Sequence, residues 1–303
     1  MTRVFVIIVE LLLFAGLACG VAGAAFATDD NEMIVGGHPA DDGKYPWQVR
    51  LYSTMDDQIG FCGGSIIAPQ WVLTASHCVT EGDLNVGPTT AKPPEDIVVG
   101  YGSNDRTKTK KIAVEKVIVN PHYLASGRAG KTDLTLIKLK RPIQNPKVVA
   151  FADPASDKKY LVPGAKVTIT GWGALWDAYD EDVKTLMAEL GPENEMMLKW
   201  QAPLKLREVE VEALDTQTCN AAYQQIQGEV WDSEICGIYK GTTKAQCHGD
   251  SGGPIVVPAD VPGGLLQVGV VSWSVKCATT GTPSIFARVS SSADWINATM
   301  NSN

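Results

Sequence analysis

The chain predicts an all-β protein in two halves, and three observations carry that expectation. Aromatic and β-branched residues accompany 29 Gly and 17 Pro, a composition that suits strands joined by turns better than a helical bundle. Short β-branched or alternating segments recur along the sequence, and a Pro- and polar-rich connection from Arg141 to Pro163 divides them into two sets. At 303 residues the chain is long enough to bury a sizeable core, as one large domain or two small ones.

Taken in order, Arg3 precedes an apolar run from Val4 to Ala27, broken by Glu10 and closed by Ala25-Phe26-Ala27. Such a run reads as an export signal over residues 1–27. A transmembrane anchor is the alternative, but Thr28-Asp29-Asp30 follows without a stop-transfer pattern. Leu17-Ala18-Cys19 is a weak match to a lipoprotein box, since Gly16 stands where Leu is usual. Residues 28–33 form a short acidic segment, and Ile34-Val35-Gly36-Gly37 comes next. Phe61 to Ala75 predicts two strands around Pro69 and runs into Ser76-His77-Cys78. Further strands are expected at Ile97 to Tyr101, Lys111 to Val119 and Leu134 to Lys140. Lys108, Lys110 and Lys111 read as a solvated strand edge.

The second half opens with a strand from Lys166 to Gly173. Trp176 to Pro203 is acidic and Met-rich, with a helical pattern over Asp182 to Leu190, and reads as an exposed insertion. Strands resume at Arg207 to Ala213, Pro254 to Val257, Leu265 to Trp273 and Ile285 to Val289. Ser292 to Met300 closes the chain as a short helix with Ser291 or Ser292 as its cap. Asn297-Ala298-Thr299 is a glycosylation sequon.

Charge and cysteines narrow the partners. A net charge of -8 argues against nucleic acid or an anionic membrane surface. Of seven cysteines, Cys19 leaves with the export segment, and six remain, an even number suited to disulfides in an oxidising compartment. Zinc is the competing use, but there is no C-x-x-C pair and the four His are scattered. We expect no metal and no cofactor. The mature protein is expected to be secreted or periplasmic.

Chemistry concentrates at Cys247-His248-Gly249-Asp250-Ser251-Gly252-Gly253-Pro254. A serine among glycines, with proline closing the run, suits a sharp turn that exposes its hydroxyl. Such a turn can aim the N–H groups of Gly249 and Ser251 at one spot, as a nucleophile beside an oxyanion hole requires. A Gly-rich hairpin with an incidental serine is the plain alternative. The hydroxyl needs a base, and His77 is the candidate because it follows a strand and is pinned by Cys78. His38 and His122 lie beside prolines in loops, and His248 is expected to point outward. The base needs an acid to fix its tautomer, and Asp133 opens the apolar strand Asp133-Leu134-Thr135-Leu136-Ile137. Taken alone, Asp133 reads more readily as an ordinary strand-start residue.

These runs resemble the chymotrypsin family of serine endopeptidases, whose chain order is His, Asp, Ser. The matching stretches are Ile34-Val35-Gly36-Gly37, Thr74-Ala75-Ser76-His77-Cys78, Asp133 to Ile137, Gly171-Trp172-Gly173, Gly249 to Pro254 and Ser272-Trp273. They span the chain from about Ile34 to Trp295. The resemblance implies two antiparallel Greek-key β-barrels, over about 34–150 and 160–290, with the site in the cleft between them. It makes Ser251 the nucleophile, His77 the base and then acid, Asp133 the orienting carboxylate, and the N–H groups of Gly249 and Ser251 the oxyanion hole. It also implies three disulfides: Cys62 with Cys78, Cys219 with Cys236, and Cys247 with Cys277.

Members of that family are typically made as zymogens. Here cleavage before Ile34 would free an amine to pair with Asp250, and Met33 in place of Arg or Lys leaves the activating protease unknown. The resemblance places Ala245 at the base of the specificity pocket, where trypsin-like members carry Asp, followed by Gln246. Ser272 and Trp273 lie beside it, and Ser274 and Ser284 occupy wall positions usually held by glycine. Cleavage after uncharged residues of small to medium size is therefore expected. The expected partners are polypeptide substrates and an unknown activating protease, and the protein is expected to be a monomer without a membrane anchor after signal removal. The competing reading is a catalytically silent secreted binding protein on the same fold.

Overall fold

The computed structural model describes residues 37–82, 89–126, 132–174, 203–224, 228–238, 247–275 and 283–303. Six strands of the first half are β1 (Gln48–Tyr52), β2 (Cys62–Ala68), β3 (Trp71–Thr74), β4 (Val98–Tyr101), β5 (Lys110–Val119) and β6 (Thr135–Leu139). They pair antiparallel and close in the order β1-β2-β3-β6-β5-β4. The second half supplies β7 (Lys166–Gly171), β8 (Arg207–Leu214), β9 (Glu234–Ile238), β10 (Pro254–Pro258), β11 (Leu265–Trp273) and β12 (Ser284–Arg288). Their ring is β7-β8-β9-β12-β11-β10, so each barrel repeats one strand order. His38–Pro39 adds to β8, and Ala150–Phe151 lies parallel to β11.

Closure leaves neither barrel with an open edge. Lys110 and Lys111 sit at the start of β5, where it pairs with β4 alone and β6 joins only from Val114 onward, and Lys111 Nζ lies 4.4 Å from the Tyr52 ring centre. Strand β1 was not among the expected strands, although Gln-Val-Arg-Leu-Tyr alternates polar and apolar residues; all five are buried, Gln48 and Arg50 included.

Among the described residues the α-helices are α1 (Pro121–Ser126), α2 (Pro154–Tyr160), α3 (Thr216–Gln224) and α4 (Ala293–Ser302). Ser292 occupies the N-cap of α4, but its side chain does not cap the helix. Its Oγ instead accepts from Asn120 Nδ2 at 3.2 Å, while Ser291 Oγ donates to the Arg288 carbonyl. Helix α4 follows the second barrel yet packs Ile296, Trp295 and Met300 into a cluster built mainly from the first. No helix among the described residues is long and apolar enough to cross a membrane.

Candidate active site

Residues Ser76–Cys78 form one tight turn directly after β3. The Cys62–Cys78 disulfide fastens it to β2, and Ser76 Oγ donates to the Leu134 carbonyl at 2.8 Å. That second tie brings the segment before β6 alongside, and with it Asp133. Asp133 Oδ1 accepts the His77 backbone N–H at 2.9 Å, and Oδ2 lies 2.7 Å from His77 Nδ1. A third donor is Ser272 Oγ, 2.6 Å from Oδ2. Sequence reasoning placed Ser272 in the specificity pocket only; its hydroxyl serves Asp133.

The carboxylate is 1% exposed. Burial pushes its pKa up, but the neighbouring His77 and the three donors outweigh burial and hold it below the ordinary value. For His77, burial opposes the imidazolium, and the Asp133 carboxylate more than compensates, raising its pKa above 6.5. With Nδ1 donating to Asp133, the acceptor lone pair of the neutral ring is on Nε2.

The glycine-rich turn is attached to the same strands. The Gly63 N–H, next to Cys62, donates to the Ser251 carbonyl at 2.7 Å, and the Gly252 N–H donates to Val271 at 2.9 Å. Gly249 has φ +93°, a conformation that side chains other than hydrogen resist. The His248 carbonyl accepts from Ala174 N–H at 2.6 Å. Because a trans peptide points its C=O and N–H in opposite directions, the Gly249 N–H faces away from Ala174. Among the described residues neither the Gly249 nor the Ser251 N–H has an acceptor within the protein. Two such donors in one turn suit a developing oxyanion. No hydrogen bond joins Ser251 Oγ to His77 Nε2 among the described residues; in unliganded sites this contact is commonly long and tightens on substrate. His248 is exposed, as are His38 and His122.

Asp250 is fully buried, and its carboxylate accepts from Gly173 N–H at 2.7 Å and Cys247 N–H at 3.0 Å. Gly173 must be glycine for this contact, since a Cβ there would lie 2.3 Å from Oδ2. Burial pushes Asp250 up to about 6, against the pull of its backbone donors and of Arg50 and His248. Ile34, its expected partner, lies outside the described residues. Arg50 is a residue that sequence reasoning missed: it is buried, and its Nη1 donates to the Gly249 carbonyl at 2.7 Å. The available signal was a lone charge inside a run of five residues.

Ser272, Trp273 and Ser274 follow one another at the end of β11, and Ser284 is buried at the start of β12. Trp273 is fixed on two sides. Its Nε1 donates to Glu234 Oε1 at 2.8 Å, and its ring meets Tyr223 edge-on at 5.1 Å between centres. Ala245, Gln246 and Cys277 lie outside the described residues. Cys219 is bonded to Cys236, and Cys247 is itself a disulfide cysteine. Cys62, His77 and Cys78 cluster closely, but the two sulfurs are joined to each other and offer no thiolate for a metal.

Comparison with known proteins agrees with this architecture. Residues 34–296 match the trypsin family model. A tryptase from Mus musculus is 32% identical over 298 residues, covering 96% of each chain. A trypsin from Phaedon cochleariae is 30% identical over 291 residues, covering 93% of this chain and 96% of that one. With a match across nearly the whole chain and twin closed barrels carrying His, Asp and Ser in that order, the chain belongs to the trypsin family of serine endopeptidases.

Proposed function

We propose that the protein is exported, released as a zymogen and activated by cleavage before Ile34, and that it then cuts polypeptides through an acyl-enzyme at Ser251. The observation that carries the catalytic assignment is the Asp133–His77 pair at 2.7 Å, a buried carboxylate on a half-buried imidazole beside the turn that holds Ser251. In this scheme Ser251 Oγ attacks the scissile carbonyl carbon as its proton passes to His77 Nε2. Asp133 stabilises the imidazolium through Nδ1. The N–H groups of Gly249 and Ser251 receive the oxyanion. Collapse of the tetrahedral intermediate breaks the C–N bond, and the His77 proton goes to the leaving amine. Water, deprotonated by His77, then hydrolyses the ester and frees Ser251.

Activation rests on Asp250. A free Ile34 amine would supply the cation that a buried carboxylate favours, and would order the oxyanion turn. For specificity, Ala245 in place of an acid and Ser274 and Ser284 in place of glycines support a narrowed, uncharged pocket. Uncharged residues of small to medium size should precede the cut.

A fluorophosphonate probe tests the scheme. The chain beginning at Ile34 should label, the full precursor should not, and Ser251→Ala should abolish labelling. Equal labelling of both forms would discard the Ile34–Asp250 switch. A folded Ile34 form that never labels would leave a binding protein on the same fold.

A further inference from the structure

Among the described residues the catalytic scheme leaves two buried arginines unused, Arg50 and Arg207; Arg207 donates to the Gly37 carbonyl, whereas Arg50 donates to the turn that carries Ser251. Arg50 lies in the middle of β1 with 1% of its surface exposed. Moving a guanidinium out of water costs several kcal/mol unless its donors and charge are answered. Its hydrogen-bond partners are backbone carbonyls: Nε donates to Ile59 at 3.1 Å, Nη2 to Gly60 at 3.0 Å and Nη1 to Gly249 at 2.7 Å. The first two belong to the loop between β1 and β2, and they fix the plane of the guanidinium from its own side. The third, the shortest, crosses 199 residues of sequence to the turn of the other barrel.

What Arg50 grips there is a peptide of the turn whose oxygen has no other donor among the described residues. The 248–249 peptide is held through the His248 carbonyl by Ala174. The 249–250 peptide is held at its N–H end by the Cys247 carbonyl at 3.0 Å, and at its oxygen by Arg50. Between these two peptides stands a glycine at φ +93°, the residue type that reorients most easily. The charge has a counterpart too. Asp250 is buried on the same turn, and each of the two groups favours the ionised form of the other.

We propose that Arg50 is a positioning residue of the oxyanion turn: from the wall of the first barrel it holds the Gly249 carbonyl, and so keeps the Gly249 and Ser251 N–H groups aimed at the substrate oxygen. The proposal rests on the oxyanion assignment made above. Arg50 touches neither substrate nor Ser251, so its effect belongs in the transition state and not in substrate binding.

The test uses the chain beginning at Ile34, with Arg50→Met and Arg50→Lys. Fluorophosphonate labelling of the unmutated form comes first; if it fails, the oxyanion assignment has failed and Arg50 is not at issue. Otherwise Arg50→Met should lower kcat about 10- to 100-fold, less than or equal to the loss of one oxyanion donor, with KM within about twofold. Inhibition by a peptide boronate, whose tetrahedral adduct puts an oxygen in the hole, should weaken in proportion. Inhibition by the corresponding product peptide should not change. Arg50→Lys, which keeps the charge and one donor, should recover part of kcat. A loss shared equally by boronate and product peptide, or no loss at all, would overturn the proposal. If Arg50→Met does not fold, Arg50→Lys decides by the same contrast between boronate and product.

Discussion

At Asp133 a buried carboxylate is kept ionised by three hydrogen bonds, two from His77 and one from Ser272. Hydrogen bonds to a charged group contribute about 1.5–3 kcal/mol each, and the loss of one leaves part of the charge unanswered. Ser272→Ala should therefore lower kcat/KM by about tenfold or more while KM for a short peptide changes little, because Oδ2 keeps only its bond to His77. Steady-state kinetics on the variant would decide, and a pure KM effect would return Ser272 to the pocket role read from the sequence. His77 and Asp133 were candidates in the sequence because Cys78 follows the one and an apolar strand follows the other, and the family resemblance gave them their roles. The second duty of Ser272 was not legible, since a hydroxyl gives no sequence signal for the direction in which it points.

Between strands, Glu234 of β9 holds Trp273 of β11, and its other oxygen accepts from Trp231 N–H at 2.9 Å. Burial pushes the Glu234 carboxyl from 4.5 up to about 7, while the Trp273 and Trp231 donors pull against it and Asp133 and Glu229 add to it. An acid whose pKa is raised by folding binds its proton more tightly in the native state. It adds stability in full below pH 4.5, and that contribution is lost as pH rises towards about 7. Gln at this position cannot ionise. The melting temperature of wild type minus that of Glu234→Gln should therefore fall by several degrees between pH 4.5 and pH 8, with Asp250 titrating in both proteins and cancelling. A difference that stays constant with pH would show that Glu234 is not titrating in the native state. Strand β9, like β1, was not among the expected strands: each is only five residues long and carries one buried charged residue, Glu234 and Arg50 respectively. Patterned strands such as β5 and β11 were readable from β-branched content, whereas these two needed the second layer of the fold to explain the charge.

Across the whole molecule, one apolar cluster joins the barrels. Leu51, Leu73 and Ile137 of the first share it with Trp172, Val256 and Val270 of the second, and Ile296 of α4 is fully buried within it. Polar ties cross as well: Ser65 Oγ donates to Gln267 Oε1 at 2.7 Å, and Thr170 Oγ1 donates to Gln48 Oε1 at 2.7 Å. Helix α4 adds a strap, since Lys138 of β6 donates to the Asn303 carbonyl at 2.7 Å. A site whose base is on one barrel and whose nucleophile is on the other needs the two to unfold together, and this shared core is the physical means. Ile296→Ala removes a buried side chain at the point where the last element of the second half meets the first, at a cost of about 3 kcal/mol. At about 2–4 °C per kcal/mol, the melting temperature should drop by roughly 6–12 °C. The partition of that loss is the sharper measurement. Native-state hydrogen exchange at Ile137 in β6 and Val270 in β11 should lose protection by the same amount, because one cooperative unit contains both. Loss confined to Ile137 would mean that the barrels open separately, and the turn carrying Ser251 would then keep its fold while its base drifts away.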